Sequence, residues 1–497
     1  MARGDVRHSG RRVDRSARRS ARTGSGRLLR RATAALVVLV LVLAGVSYTF
    51  DLGTRWLGDR RGVVPAEPAA VAPPPGLTLP APTVAEPVAV PGDASTAADP
   101  AKVRRALAGL LRDKKLGPRV AVAVDQLSDG SPVFRSGPSV VTPASTMKLL
   151  TSTAALASLG QGHTFSTTVV AGATPRQVVL VGGGDPLLAR TPSGDDTYPA
   201  RADLLTLAKK TARSLDGLGR TRVSLGYDAS LFTGPAVSPQ WPASYLPDDV
   251  VSPISALWVD EGRERPGMVD RSADPALGAA QVFAQALAKQ GIAVVGRPRP
   301  TAAGAEPDVL AEVESAPLEQ VVQWVLEMSD NEGAEVLFRH VALATDRPGS
   351  FVGGSAAVRD VLADLGIDTT GQRILDGSGL SRDDRVAAET LLAVVGAAAD
   401  EDHPELRPVA VDLPVAGFTG SLTYRFATGD DAGLGRVRAK TGTLTGVHGL
   451  AGTTTDLDGT VLSFAVVADR VKVENTLDAR ATIDEIAAAL AGCSCGA

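Results

Sequence analysis

The polarity pattern divides the chain into stretches of different texture before any single residue is weighed. Residues 1–31 are polar and arginine-rich, and Ala32–Phe50 is an uncharged run of nineteen residues rich in Leu and Val. A run of that length spans a bilayer core. Residues 63–100 are rich in Pro, Ala and Val with almost no aromatic side chains, so 51–99 reads as an extended linker with no core to bury. Hydrophobic periodicity begins near Pro100. Ala101–Leu111 reads as a helix, Val120–Asp125 alternates as a strand, and Ser128-Asp129-Gly130-Ser131 turns into a return strand over Val133–Arg135. Pro143-Ala144 is a fitting entry to a helix over Thr146–Leu159, which stops at Gly160.

From about 164 to 295 the texture shifts to short strands and turns, such as Val178–Val181 and Val223–Tyr227, with helices over Ala202–Leu215 and Ala276–Gln290. Helical periodicity returns over Leu318–Met328, Ala334–Leu343, Ser355–Leu365 and Ala387–Ala399. The end reads as strand Leu450–Thr455, turn Asp456–Gly459, strand Thr460–Asp469 and helix Thr476–Leu490, a hairpin and helix suited to extending and covering an antiparallel sheet. No repeat is evident. At 497 residues the chain is too long for one core and predicts two or three domains beside its tails.

Charge sharpens the N-terminal reading. Residues 1–31 hold eleven arginines against Asp5 and Asp14, a formal +9, so the remainder must be −13 for the whole chain to be −4. A basic segment can serve nucleic acid, but this one abuts an apolar span, and membrane-surface attraction is expected instead of nucleic-acid binding. Arginine on the N-terminal side keeps that end cytoplasmic, which puts everything after residue 50 on the far side of the membrane as a single-pass protein. The alternative is a cleaved leader with Val42-Leu43-Ala44 as its small-residue site, although the apolar run is long for one. A linker of this composition reaches on the order of 100 Å in polyproline II geometry, far enough to hold a body away from a membrane. The cysteines, Cys493 and Cys495, are separated by one residue, which disfavours mutual pairing, so 491–497 reads as a frayed tail. The histidines are scattered without ligand spacing, and neither metal nor cofactor is expected.

Three short strings carry the chemistry: Ser145-Thr146-Met147-Lys148, Ser329-Asp330-Asn331 and Lys440-Thr441-Gly442-Thr443. Ser145 and Lys148 are three apart, so a helix sets hydroxyl and amine one turn apart on one face. A serine hydroxyl needs a base within hydrogen-bond reach, and a lysine serves if burial or a second cation such as Lys440 lowers its pKa. Ser329 adds a hydroxyl able to relay a proton, and Asn331 an amide able to hold a substrate backbone. Lys440, Thr441 and Thr443 supply a charge and two hydroxyls on an edge strand, where Gly442 admits close approach and strand N–H groups can stabilise an oxyanion. Each string alone is common. Their ordered set is not, in a chain where arginine dominates the basic residues and asparagine occurs only at 331 and 475. Ser-x-x-Lys, Ser-Asp-Asn and Lys-Thr-Gly in this order are the signature of β-lactamases and penicillin-binding proteins.

With further segments the chain closely resembles the class C low-molecular-mass penicillin-binding proteins, D-alanyl-D-alanine carboxypeptidase/endopeptidases that include penicillin-binding protein 4. These segments are Val181-Gly182-Gly183-Gly184-Asp185-Pro186, Trp241-Pro242 with Tyr245, Ser252–Leu257 leading to Val259-Asp260-Glu261, Asp376–Arg382, and Gly420-Ser421-Leu422 with Arg425-Phe426. The resemblance runs from about 100 to 490. It implies an α+β fold, an antiparallel sheet flanked by helices beside an all-helical subdomain, with the site in the cleft. The catalytic domain is then 100–163 and 296–490. The 184 residues from Ser145 to Ser329 leave room for one inserted, mainly-β domain at 164–295, and a second extra domain seen in some members is missing or vestigial between Asp260 and Ala273.

The resemblance further implies a serine hydrolase acting on peptidoglycan stem peptides of the cell wall through a Ser145 acyl-enzyme, and acylation of the same serine by β-lactam antibiotics. Lys148 is then the base, Ser329 the relay to the leaving D-alanine, and Asn331 the holder of the peptide backbone. Lys440, Thr441 and Thr443 take the terminal carboxylate, and the N–H groups of Ser145 and Thr443 form the oxyanion hole. Asp185 and Arg382 are implied at the far end of the stem-peptide side chain, although Asp185 can equally cap a turn and Arg382 pair with a surface acid. His448 reads as a packed strand residue. Two rival functions use the same motifs: a β-lactamase, for which no separate water-activating carboxylate is apparent, and a non-catalytic wall sensor, which would have no need of Lys148.

Overall fold

The computed structural model describes residues 97–496 apart from 195, 266, 428 and 430. The expected basic segment 1–31, apolar span 32–50 and the linker as far as 96 lie outside the described residues. Among the described residues no helix is long and apolar enough to cross a membrane.

The chain starts with α1 (Pro100–Leu107), β1 (Val120–Gln126), β2 (Pro132–Ser136) and α2 (Met147–Leu159). A second group follows: β3 (Ser166–Ala171), β4 (Gln177–Val181), α3 (Leu204–Gly217), β5 (Arg222–Asp228), α4 (Pro275–Lys289), β6 (Ala293–Val294), β7 (Arg299–Pro300) and β8 (Val309–Glu314). Five helices come next, α5 (Leu318–Glu327), α6 (Asn331–Ala344), α7 (Phe351–Asp364), α8 (Ala388–Ala399) and α9 (Arg407–Val411). The last group is β9 (Arg438–Leu444), β10 (Val447–Thr455), β11 (Val461–Ala468) and α10 (Thr476–Ala491).

The first sheet has the order β2-β1-β11-β10-β9, is antiparallel throughout, and is assembled from both ends of the described chain. Its strands are apolar on both faces because both are covered. Along β1, Ala121 and Ala123 join one core while Val122 and Val124 join the other; along β11, Ala465 and Val467 part in the same way from Phe464 and Val466. One core packs the sheet on α1 and α10, and the other packs it on α2, α5, α6, α7 and α8. Each fully buried Leu, Val or Phe in these cores contributes about 1.5–3 kcal/mol of apolar burial. Every residue from Met147 to Leu156 of α2 is buried, so this helix lacks a polar stripe because it runs through the middle of the helical layer.

The second sheet has the order β6-β5-β4-β3-β8, with β7 beside β5. It corrects the expected insert in two respects. Val309–Glu314 pairs with β3, so the sheet draws on chain well past residue 295. It is also not mainly β: β4, β5 and β6 pair in parallel, a parallel pair needs a crossover, and α3 and α4 supply the crossovers and much of its core.

Three local expectations shift. The first helix stops at Leu107 and resumes as a 3-10 turn at Leu110–Arg112, because Gly109 interrupts it. Helix α6 begins at Asn331 instead of Ala334, capped by Asp330, whose Oδ1 accepts from the Gly333 N–H at 3.1 Å. The tail expected to fray at 491–497 is docked over its described residues, 491–496. Cys493 and Cys495 form a disulfide, Cys495 is fully buried, and the Asp99 N–H donates to the Cys495 carbonyl at 2.7 Å. With 5.2 Å between their Cα atoms the pair lies within ordinary bridging range, and docking on residues 98–99 outcompetes fraying.

Candidate active site

Ser145 sits in a 3-10 turn, Ala144–Thr146, that feeds directly into α2. Ala144 adopts φ 48°, a left-handed conformation rare for a residue with a side chain. Two glycines press on this turn. A Cβ at Gly379 would overlap the Ala144 carbonyl oxygen, and one at Gly442 would stand 2.7 Å from the Pro143 carbonyl oxygen. The Thr146 hydroxyl donates to the same Pro143 carbonyl at 2.7 Å and closes the turn. Strain of this kind costs about 1–3 kcal/mol and persists only where the surroundings over-determine it.

Lys148, fully buried in the first turn of α2, ties the first two strings to the loop at Ser378. Its Nζ donates to Ser145 Oγ at 3.0 Å, to Asn331 Oδ1 at 2.8 Å and to the Ser378 carbonyl at 3.0 Å. Burial lowers its pKa to about 8, while the carboxylates of Asp330, Glu335, Asp376 and Glu332 pull the other way. Of the two causes the sequence allows, burial and a second cation, desolvation is the leading one. Ser329 has φ 58°, is half-buried, and immediately precedes the α6 cap that aims Asn331 at Lys148.

Lys440 lies on β9, the edge strand of the first sheet, as expected for the third string. Alternation sends Lys440 and Gly442 to the face that meets the nucleophile turn and sends Thr441 and Thr443 to the other. Lys440 is fully buried, its Nζ donates to the Thr441 carbonyl at 3.2 Å, and burial, assisted by the Lys148 charge, holds its pKa well below the usual lysine range. The Thr441 hydroxyl donates to Ser421 Oγ at 3.0 Å. On the free side of β9 the Ala439 N–H donates outward to the Pro414 carbonyl at 2.9 Å. By the same alternation the N–H groups of Thr441 and Thr443 point outward beyond that contact, towards any peptide laid along the edge.

Several groups in this cluster escaped the sequence reading. Glu335, one turn along α6 from Asn331, accepts from the Gly377 N–H at 3.1 Å, the Ser378 N–H at 2.9 Å and the Ser378 hydroxyl. It thereby fixes the loop whose Ser378 carbonyl meets Lys148, and burial pushes its pKa up to about 8. Asp376 accepts from the Gly379 and Ser381 N–H groups and from Trp241 Nε1, each at 2.7 Å. The signal for these was present in Asp376-Gly377-Ser378-Gly379 and Trp241, but a buried carboxylate holding a loop has no spacing rule of its own.

The outlying candidates fall elsewhere. Asp185 is buried, its Oδ1 accepts from the Leu187 N–H at 2.8 Å, and burial raises its pKa to about 7. That contact is the turn cap, and its other oxygen has no hydrogen-bond partner among the described residues. Arg382 is exposed and donates to the Thr445 carbonyl at the end of β9, so it lies beside the third string instead of pairing with an acid. His448 is a buried strand residue whose pKa burial lowers to about 4. For a metal, the described residues offer one grouping, Glu261, Asp330 and Glu332, with oxygens within 4.8 Å of one another. Arg263 and Arg271 already balance two of its members at 2.9 and 2.8 Å.

A profile of the D-Ala-D-Ala carboxypeptidase 3 (S13) family matches residues 103–270 and 264–490. The chain is 39% identical to carboxypeptidase DacB of Mycolicibacterium smegmatis, over 93% of this chain and 98% of that protein. It is 40% identical to a carboxypeptidase of Mycobacterium tuberculosis, over 86% and 90%. In fold it is similar to penicillin binding protein 4 of Haemophilus influenzae, with a TM-score of 0.63 at 22% identity over 76% of this chain and 98% of that one. With the serine, its buried lysine and the edge strand meeting at one cluster, the chain belongs to the D-Ala-D-Ala carboxypeptidase 3 (S13) family.

Proposed function

We propose that Ser145 is the acylated nucleophile, and Lys148 its base, in hydrolysis of the D-Ala–D-Ala bond of peptidoglycan stem peptides. The observation that carries this is the 3.0 Å contact between Lys148 Nζ and Ser145 Oγ, made by an amine with no solvent exposure and a pKa of about 8. Such an amine keeps a neutral fraction near physiological pH far larger than an exposed lysine does, and that fraction can take the hydroxyl proton.

Ser145 Oγ then bonds to the carbonyl carbon between the two D-alanines. The oxyanion faces the Ser145 and Thr443 N–H groups, and the C–N bond breaks. The proton held on Lys148 passes by way of Ser329 to the leaving amine. Water attacks the ester in the reverse proton sense, releasing the shortened peptide as a carboxylate and returning the proton to Ser145. Asn331, whose oxygen is engaged by Lys148, keeps its amide nitrogen for a substrate carbonyl. At the free edge of β9, where its two faces meet, Lys440, Thr441 and Thr443 receive the terminal carboxylate, with Gly442 admitting close approach. Arg382 meets the stem-peptide side chain past the end of β9, and Asp185 keeps one oxygen for a distal ammonium. If the leaving amine belongs to a second stem peptide, the same steps open a cross-link. A β-lactam enters at the first step and stays as a Ser145 ester.

The same reading places the body outside the cytoplasm, held by the 32–50 span at the end of its linker. The test uses the full chain in detergent. Incubation with benzylpenicillin should give a single mass adduct on the peptide containing Ser145, and a stem pentapeptide should release D-alanine. Ser145→Ala should lose both. Retained D-alanine release in that variant, with folding verified, would refute the assignment, and penicillin turnover at many cycles per second would favour a β-lactamase.

A further inference from the structure

At the end of β9 furthest from Lys440 lies a cavity of about 230 Å³, of whose lining residues only Arg382 has a role above. Its walls bring together Arg119, Arg382, Arg385 and Arg470 with Asp469 and Thr142. Four guanidinium groups against one carboxylate make this a formal +3 pocket, in a chain whose net charge is −4. The parts are held in place. Arg119 Nε meets Asp469 at 2.9 Å and its Nη2 donates to the Val140 carbonyl at 2.7 Å. Asp469 also accepts from the Thr142 N–H at 3.1 Å. Arg385 Nη1 donates to Thr142 Oγ1 at 2.9 Å and to the Arg382 carbonyl at 2.8 Å. Asp384, next in the chain, does not neutralise them: it is buried, and its carboxylate turns away to the Leu375 N–H at 2.8 Å. Arg470 is exposed at the rim.

We infer that this pocket is an anion subsite for the substrate, taking the branch carboxylate of the acidic residue that precedes the diamino acid of the stem peptide. The inference rests on the proposed function. Its geometry follows from the strand. The nucleophile turn touches β9 at Gly442, and Arg382 meets the chain at Thr445, three residues on, or about 10 Å along a strand. An extended peptide covers that distance in about three residues, so the group that arrives lies upstream of the residue next to the scissile D-alanine. The volume equals about eight waters, enough for a carboxylate on a short arm and too small for a polymer of sugar phosphates. Guanidinium forks recognise two-oxygen anions, and this pocket offers several converging ones. The arrangement also joins the two ends of substrate recognition: Thr142, whose hydroxyl orients Arg385, lies three residues before Ser145.

The experiment compares two stem pentapeptides, one with that acidic residue as its free acid and one as its amide, on the full chain in detergent. The wild type should favour the acid by about tenfold in kcat/KM, carried mostly by KM. In Arg470→Glu the two substrates should become equivalent, while Arg470→Lys should keep most of the preference. The rate of Ser145 acylation by benzylpenicillin, which lacks the group, should be the same in all three proteins. Equal kcat/KM for acid and amide in the wild type, with penicillin acylation intact, would overturn the subsite and leave the proposed function standing. Loss of both penicillin acylation and D-alanine release in the wild type would bring down the function and the subsite together. Should inorganic phosphate raise the melting temperature of the wild type but not of Arg470→Glu, while acid and amide react alike, the pocket serves a phosphate and the carboxylate reading is wrong.

Discussion

The two walls of the cleft each bury a lysine, yet they treat it in opposite ways. On the helical wall Lys148 is surrounded by carboxylates of Asp330, Glu332, Glu335 and Asp376, which partly offset its burial and leave its pKa at about 8. On the sheet wall Lys440 is equally buried, but what adds to its desolvation is another cation, Lys148, so its pKa falls well below the usual range. One amine is poised to exchange a proton with a hydroxyl. The other waits for negative charge to arrive. In the proposed function identical residue types thus separate into a base and a carboxylate receptor through the charges around them, and neither burial nor sequence spacing alone distinguishes the two.

The largest effect should come from breaking the helical wall. Lys148→Met removes the proton acceptor and should slow acylation of Ser145 by benzylpenicillin about a thousandfold or more, measured by stopped-flow or quenched mass spectrometry. A decrease of only a few-fold would mean that some other group takes the proton. Next comes the sheet wall. Lys440→Met should raise KM for a peptide ending in a free carboxylate by about a hundredfold, and should change little for the same peptide with that carboxylate methylated. Because burial holds Lys440 towards its neutral form, carboxylate binding to the wild type should take up a proton, visible as a buffer-dependent binding enthalpy. Equal losses for both peptides in the variant would make Lys440 a packing residue.

A third test probes how the acids set the first lysine. Neutral Lys148 is the active form, so the acylation rate should climb as pH rises towards about 8 and level off above it. Glu335 favours the charged amine, so in Glu335→Gln the midpoint of that climb should move to lower pH. The same substitution loosens the loop carrying Ser378, and the plateau should fall by about tenfold. Since Glu335 titrates near the same pH, the midpoint belongs to the coupled groups and not to one residue. A midpoint that moves upward would contradict the electrostatic assignment.

How much of this was legible in the chain follows from what leaves a local trace. Ser145, Lys148 and Asn331 were readable because their chemistry fixes residue types at short spacing, and the structure brings them within hydrogen-bond reach. The antiparallel catalytic sheet was readable from the final hairpin, whose hydrophobic positions face two covering layers. The parallel part of the second sheet was not, since strands such as Ala293–Val294 are two residues long and take their direction from partners remote in sequence. Glu335 and Asp376 were hidden for a related reason: a buried carboxylate that satisfies loop N–H groups depends on where another segment passes. The docked tail was missed because the bridge between Cys493 and Cys495 is stabilised by contacts with residues 98–99, some 400 positions earlier.

The smallest expected effect tests whether the sheet wall has a support of its own. Ser421 accepts the Thr441 hydroxyl at 3.0 Å, as Glu335 supports the helical wall, but this bond is only partly buried and joins two neutral groups. A neutral bond of that sort contributes about 0.5–1.5 kcal/mol, so Ser421→Ala should raise KM for the carboxylate-bearing peptide only about threefold to tenfold. The pH midpoint of acylation should stay where it is, because no charge near Lys148 changes. A moved midpoint would show that the two walls communicate through the Lys-Thr-Gly strand, and the separation between a base wall and a receptor wall would have to be abandoned. An unmoved midpoint with a raised KM would establish that carboxylate reception is adjusted independently of the proton transfer it precedes.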